Sequence, residues 1–460
     1  MDRGRRPFGL AVALVLLLAA LVRVVYVLGA QVDLPIRGDV NQYVLYAWNL
    51  THRGVFSSAL PSAAGIPDSY RGPGYPLFLA LAMWLAGHSD LPLRESPQGV
   101  VLGYVTDTWM QYALAAQVFL GTATVLVSIV LARLWLARAA ALAAGLLVAL
   151  WPHLITFSGT LLSETLFCFT GVVSLYLCAL AEFRRRPGIA AGAGLSFGFA
   201  YLVNPLIGLL PLLLSAVLWL RGQRRLAIAL LAAFAIAPGI WAIRCATVTG
   251  ASGSTERVAL NFVVGSIPQY FTAYNSRFDN AISKQIVDFA STEAGLLVAD
   301  PIAGAAEIAE RMGQDPGFYA AWYLWHKPYL LWDWAIRIGS GDIYFLETGR
   351  SPFERLAALR LIKSAAEVLN PLLFVLALVA ALRTTWCTVR RSPVEFPMVV
   401  LTVFFVYVTV VHVVLQAEPR YSIAYRPEQI LLALGAVAGV WDWWRKRIES
   451  PAAARDATAT

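Results

Sequence analysis

A series of long apolar runs, with arginines at every second junction between them, constrains this chain more than any other feature. A helix that crosses the hydrocarbon of a bilayer needs about 20 apolar residues, range about 17–25. Runs that meet or approach that length occur at 8–30, 109–132, 138–156, 161–182, 187–203, 205–220, 224–244, 364–383, 396–415 and 427–445. Composition agrees, with 58% apolar and 14% charged residues, against about 25% charged in a soluble domain. The expected fold is an all-α polytopic membrane protein with about ten transmembrane helices. Interfacial helices are expected in a first outer loop, and a later long outer loop should be mainly helical.

The arginines orient it. Arg3, Arg5 and Arg6 precede an apolar run from Phe8 to Ala30 that is too long for a signal-peptide core and lacks a clear cleavage site. It reads as an uncleaved first span. An inner N-terminus places Arg133 and Arg138, Arg184 to Arg186, Arg221, Arg224 and Arg225, and Arg383, Arg390 and Arg391 at inner junctions. Arg445, Lys446 and Arg447 then close the inner C-terminal end, as the positive-inside rule requires. Only Asp2, Glu182, Glu395, Asp442, Glu449 and Asp456 of the 28 acids share that side. The net charge of +8 therefore marks topology and anionic membrane lipid; it does not indicate nucleic acid. Tyr75 to Gly87 is too short to cross comfortably and reads as an interfacial or re-entrant helix, a short span being the alternative. Counting it as a span would reverse every later junction.

Four units follow. Residues 1–244 form an N-terminal transmembrane module whose outer loop, 31–108, carries the candidate catalytic residues. Residues 245–363 are the long outer loop, with a helical pattern at Ile302 to Met312. Its aromatic stretch WYLWHKPYLLWDW, 322–334, suits a helix at headgroup level. Residues 364–448 hold the last transmembrane helices, and 449–460 read as a disordered tail. No internal repeat of the kind common in secondary transporters is visible.

The candidate residues lie in outer turns. Asp39, after Gly38 and ahead of Tyr43, Tyr46 and Trp48, is placed to act as a general base, and equally to cap a helix N-terminus. Arg71 sits in Tyr70-Arg71-Gly72-Pro73-Gly74-Tyr75-Pro76, where a guanidinium can grip a phosphate with two prongs or snorkel to headgroups. Glu164, where one span gives way to the next, is costly at membrane depth unless paired or functional; it also suits the positive end of a helix. Arg244 and Arg420 are cations on the acid-rich side, fit for a lipid phosphate or for salt bridges. The histidines 52, 88, 153, 326 and 412 are scattered, and no ligand spacing supports a metal. Cys168, Cys178, Cys245 and Cys387 form no Cys-x-x-Cys pair and read as small buried apolar residues.

In this order the motifs resemble the glycosyltransferase C (GT-C) superfamily, in its bacterial branch similar to protein O-mannosyltransferases and the lipid A aminoarabinose transferase. The set comprises Gly38-Asp39-x-x-x-Tyr43, the Tyr70 to Ala80 segment, Pro152…Ser158-Gly159…Ser163-Glu164, Pro238…Trp241…Arg244 and Arg420-Tyr421. The resemblance implies inverting transfer of a sugar from a polyprenyl-phosphate donor to an outer-face acceptor (glycan, lipid or protein). It implies Asp39 as catalytic base, with Arg71, Arg244 and Arg420 on the donor phosphate. Glu164, Tyr43, Tyr70 and Tyr421 would bind substrate. Relatives carry Asp-Glu where this chain has Asp39-Val40, so the acid's partner is missing. No cofactor is identified with certainty, and a divalent metal stays open, though ligand spacing does not support one. The implied setting is a bacterial inner membrane with the site facing the periplasm. The alternative is a lipid-linked-glycan flippase or secondary transporter.

Overall fold

The computed structural model describes residues 5–32, 36, 38–87, 93–96, 99–102, 108–249 and 253–456. Arg3, His88 and the tail residues 457–460 lie outside them. The chain is an all-α polytopic membrane protein. Its helices are α1 (Arg5–Gly29), α2 (Asp39–Arg53), α3 (Gly74–Leu85), α4 (Thr108–Ala132), α5 (Arg138–Leu150), α6 (Pro152–Thr156), α7 (Glu164–Arg184), α8 (Pro187–Val203), α9 (Leu210–Leu220) and α10 (Arg224–Arg244). The long loop holds α11 (Gly253–Gly265), α12 (Tyr270–Ser276), α13 (Ala281–Ala299), α14 (Pro301–Gly313), α15 (Pro316–Ala321), α16 (Lys327–Trp332) and α17 (Pro352–Arg355). The chain ends with α18 (Ala357–Val389), α19 (Phe396–Val414), α20 (Pro419–Ser422) and α21 (Arg426–Asp456).

Lipid-facing and packed faces alternate along these helices as apolar solvent demands. On α1, Leu10, Leu14, Leu17, Leu21 and Leu28 stay exposed while Ala19, Val22, Arg23 and Tyr26 are buried against neighbours. Backbone groups inside hydrocarbon must be satisfied within the helix, which is why each apolar run becomes one. Among the described residues, six helices are long and apolar enough to cross a membrane: 7–29, 108–132, 164–184, 224–249, 357–389 and 396–414. A seventh forms if the bent pair α5 and α6 counts as one span.

Four departures from the sequence reading matter. The run at 138–156 is bent by 56°, because Pro152 cannot continue α5 and starts α6 instead. The run at 205–220 opens with a 3₁₀ turn, Pro205–Ile207, leaving 11 residues of α9. Helix α21 runs on through Asp456, past the point where a disordered tail is expected; the alanines at 452–454 are strong helix formers. The first outer loop also holds a two-stranded pair, β2 (Leu93–Ser96) with β3 (Gly99–Leu102), where only helices were expected.

Helix α3 has 12 residues, about 18 Å of helix, well short of the ~30 Å hydrocarbon core. It buries Tyr75, Leu79 and Met83 and leaves Leu77, Leu81, Trp84 and Leu85 exposed, as an interfacial or re-entrant helix would. The long loop has a small core of its own around Val263, Phe271, Ala290 and Ile308. It is braced by Arg311 donating to both oxygens of Glu293 at 2.9 and 2.7 Å. In the aromatic stretch, Leu324, Trp325 and Tyr329 are exposed while Lys327, Leu331 and Trp332 are buried.

A belt from Asp333 to Gly349 ties this loop to the bundle. His153 Nε2 bonds the Trp334 carbonyl at 2.9 Å, and Thr156 Oγ1 donates to the Ile343 carbonyl at 3.0 Å. The strand β1 (Gln31–Val32), just after α1, pairs antiparallel with β4 (Thr348–Gly349). These contacts draw the start of α2, the α6–α7 turn and the α19–α21 turn to one end of the bundle.

Candidate active site

Asp39 is the first residue of α2, with Gly38 at φ 57° before it and no side-chain cap. Its carboxylate is therefore no helix cap; it reaches across to two arginines. Arg71 Nη2 donates to Oδ1 at 2.5 Å and Arg420 Nη2 to Oδ2 at 3.0 Å. Arg420 also gives its Nε–H to Glu164 Oε1 at 2.8 Å, and Arg71 Nε donates to Gln42 Oε1 at 2.7 Å. Four elements far apart in sequence thus share one charge network.

Arg71 is buried, with 8% of its side chain accessible, so it does not snorkel to headgroups. The turn that carries it is pressed onto the end of α8. A Cβ on Gly72 would lie 2.5 Å from the Leu202 carbonyl oxygen, and one on Gly74 would lie 2.6 Å from Val203 N. Only glycine permits that approach, and it sets Arg71 over the rings of Tyr43 and Tyr70 at 5.0 and 5.7 Å. Such faces favour a cation. Tyr43 OH shares a hydrogen bond with Ser163 Oγ at 3.4 Å, beside Glu164 at the start of α7.

Arg420 is aimed by its neighbours. Glu418, fully buried, accepts from Arg420 N at 2.6 Å and from the Arg337 and Ile338 N–H groups at 2.6 and 3.2 Å. The Arg420 guanidinium lies 3.9 Å from the Phe345 ring centre. Tyr421 stacks on His412 and donates to Gln416 Oε1 at 2.9 Å.

These side chains line one cavity of ≈320 Å³. Asp39, Arg71, Glu164, Arg420, Tyr43, Tyr70 and Tyr421 all reach it. Arg244 does not: its guanidinium donates to the Asp68 and Phe56 carbonyls at 2.5 and 3.3 Å and packs on Phe56 and Trp241. It braces the loop behind Arg71.

Sequence reasoning missed Arg257, Gln42, Asn204 and His412, which also reach the cavity or its network. Arg257 is another cation on the acid-rich side, the criterion that picked Arg244 and Arg420. That criterion admits Arg277 and Arg311 equally, so it had no power to single Arg257 out. Arg257 covers Tyr70 at 5.6 Å and, among the described residues, pairs with no carboxylate within salt-bridge distance.

Burial by itself would raise the Asp39 pKa, but Arg71 and Arg420 overrule it and hold the carboxyl well below the usual range. For Arg420, burial is likewise outweighed by Glu164 and Asp39, so it stays a firm cation. Burial and then the neighbouring Arg71 lower Arg257, while Tyr43, Asp39 and Tyr70 pull the other way. The lining thus sets three guanidiniums against two carboxyl groups. An anion would settle that imbalance. Among the described residues no group of three His, Cys, Asp or Glu side chains is arranged to hold a metal ion, and both Asp39 oxygens are already engaged by guanidiniums.

No family model matches the chain, and no curated protein matches it significantly. Among solved structures, it is similar to the oligosaccharyltransferase of Archaeoglobus fulgidus, crystallised with zinc and sulfate. The two are 15% identical with a TM-score of 0.48, over 94% of this chain and 50% of that one. It is also similar to ArnT from Cupriavidus metallidurans bound to undecaprenyl phosphate, at 14% identity and a TM-score of 0.46. That match takes in 95% of this chain and 61% of the other. The chain thus spans about half to three-fifths of these two proteins.

Proposed function

We propose that this protein is a membrane glycosyltransferase that moves a sugar from a polyprenyl-phosphate donor to a glycan, lipid or protein acceptor in one inverting step. The observation that carries the reading is the two-sided lining of the cavity. Arg71, Arg257 and Arg420 gather with Asp39 and Glu164, while Phe167, Val203, Leu206, Leu415 and Ala424 make an apolar wall. Phe167, Leu206, His412 and Tyr425 also border a separate void of ≈10 Å³ between α7 and α19, too small to take a lipid tail. A lipid phosphate divides in the same way, with an anionic head for the guanidiniums and the first carbons of its tail for the apolar wall.

In this mechanism Asp39 takes the proton of the acceptor hydroxyl as its oxygen attacks the anomeric carbon. The bond from that carbon to the phosphate oxygen breaks, and polyprenyl phosphate leaves with the bonding electrons. The leaving phosphate gains negative charge, which preorganised cations in a poorly hydrated site stabilise strongly. Arg257, without a carboxylate partner among the described residues, is free to meet it first. A general base works best with a pKa near the operating pH, and Asp39 is held far below that by its two arginines. A donor phosphate that competes for Arg71 and Arg420 loosens the hold and returns basicity to Asp39. Donor binding therefore primes the base. Tyr43, Tyr70 and Tyr421 offer rings and hydroxyls to the sugar. The setting proposed is the bacterial inner membrane, with the cavity on the periplasmic side.

A transport reading would draw on Arg23 and Glu428, two charges inside spans that the sequence map passed over. Both are packed to 1% exposure, and the cavity beside Arg23 is only ≈10 Å³, far too small to pass a sugar-lipid. The test is transfer itself. Purified protein in nanodiscs is incubated with polyprenyl-phosphate sugars and candidate acceptors, and products are identified by mass spectrometry. Glycosylated product is expected from the wild type, and its loss from Asp39→Asn and Arg71→Ala at normal membrane expression. Near-normal transfer by either variant removes that residue from the mechanism.

A further inference from the structure

Arg23 is an intramembrane cation that the mechanism above does not use. It lies six residues before the end of α1, ~9 Å below the site end of the helix. Charges at such depth are rare and tend to be functional. Its Nη1 donates to the carbonyls of Ala19 and Ala149 at 3.0 and 3.1 Å, but its buried Nε has no partner among the described residues. On α7, Glu164 has a matching deficit: Oε1 accepts from Arg420, while buried Oε2 has no partner among the described residues.

Both residues line the same small cavity of ≈10 Å³, together with Thr124, Thr165 and Cys168. That is room for about one water molecule. The two threonine hydroxyls already give their protons away, Thr124 to the Leu120 carbonyl at 2.9 Å and Thr165 to the Phe157 carbonyl at 3.0 Å. Toward the cavity their oxygens are therefore acceptors. The niche is shaped for the arginine: a Cβ on Gly121 of α4 would lie 2.6 Å from Arg23 Nε.

We infer that one ordered water occupies this cavity and makes Arg23 a positioning residue for Glu164. The water accepts from Arg23 Nε–H and donates one proton to Glu164 Oε2 and the other to a threonine oxygen. Both orphaned atoms, Arg23 Nε and Glu164 Oε2, are then satisfied. With both oxygens fixed, Glu164 cannot rotate away from Arg420, and Arg420 stays on Asp39. The line of contact runs from the first membrane helix to the base. The consequence for turnover rests on the proposed glycosyl transfer; the water itself does not.

The experiment has two arms on full-length protein in nanodiscs. A high-resolution cryo-EM map of the wild type should show ordered density within hydrogen-bond reach of Arg23 Nε and Glu164 Oε2. A map that resolves other internal waters but none here, or that shows the two side chains in direct contact, overturns the inference. In the transfer assay, Arg23→Met should lower kcat roughly tenfold or more with little change in KM for the donor. Arg23→Lys, which keeps a donor at the cavity, should recover part of the loss. Wild-type kcat in Arg23→Met, or equal losses in both folded variants, overturns the positioning role. Absence of any transfer by the wild type would count against the glycosyltransferase reading and leave the water to be judged by the map.

Discussion

Asp39 is held between two guanidiniums, and this determines how its loss should show. Asp39→Asn removes the proton acceptor but keeps the shape, so transfer should fall by about 10²–10⁴, the usual worth of a general base, with expression unchanged. The same ion pairs govern acid stability. Because the folded pKa lies below the unfolded value of roughly 3.9, the pairs contribute fully above that value. Their contribution is lost as pH falls through the depressed one. Thermal unfolding in nanodiscs should therefore drop more steeply below about pH 4 for the wild type than for Asp39→Asn; parallel curves would contradict the pairing. Arg257→Ala should act on donor binding: a charge-assisted bond is worth about 1.5–3 kcal/mol, so the donor KM should rise about 10- to 100-fold with kcat less affected. A kcat loss at unchanged KM would place Arg257 elsewhere. At this scale the sequence singled out four charges in outer turns, Asp39, Arg71, Glu164 and Arg420, that the fold brings to one cavity. It failed for Arg257, one of several cations in a long loop. It failed for Arg23 and His412 as well, whose partners lie on helices more than a hundred residues away or across a turn. Arg244 shows the opposite error, since a charge at the right end of a span can be used up on loop carbonyls.

At the scale of elements, the site depends on how the turn after Tyr70 meets α8. Gly72→Ala would put a methyl 2.5 Å from the Leu202 carbonyl oxygen, backbone that cannot yield as a side-chain tip would. The turn must lift, at about 1–3 kcal/mol for an overpacked contact, and Arg71 moves with it. A shift of about 1 Å in a positioning group can cost on the order of 10²-fold in rate. Gly72→Ala should therefore lower transfer far more than the thermal midpoint, while Gly188→Ala, with open space around it, should change neither. Equal activity in the two would show that Arg71 does not depend on this packing. Most of these elements were legible in the sequence, because apolar length and Pro or Gly breaks are local properties. The bend at Pro152 was local as well, yet periodicity saw only one continuous run. The belt from Asp333 to Gly349 was not legible at all. Its hold on Glu418, His153 and Thr156 is made by backbone groups, which carry no residue-specific signal.

At the scale of the whole molecule, the arginine-rich junctions and the cavity occupy opposite ends of the same helices. Helix α7 begins at Glu164 in the cavity and ends at Arg184; its 21 residues span about 31 Å, close to the ~30 Å hydrocarbon thickness. Likewise α10 starts at Arg224 and ends at Arg244, beside the loop behind Arg71. If positive charge is retained on the inner side, the cavity must open on the other, where a lipid-linked donor would be met. Single cysteines can test this directly, because Cys168, Cys178 and Cys245 are buried and only partly exposed Cys387 needs replacing. Ser291 on α13 and Ser392 between α18 and α19 are both exposed. In a Cys387→Ala background, Ser291→Cys should react with a membrane-impermeant maleimide in intact spheroplasts. Ser392→Cys should react only after the membrane is permeabilised. The reverse pattern would turn the bundle over, set Asp39 and its arginines toward the cytoplasm, and remove the outer-face acceptor from the proposed reaction.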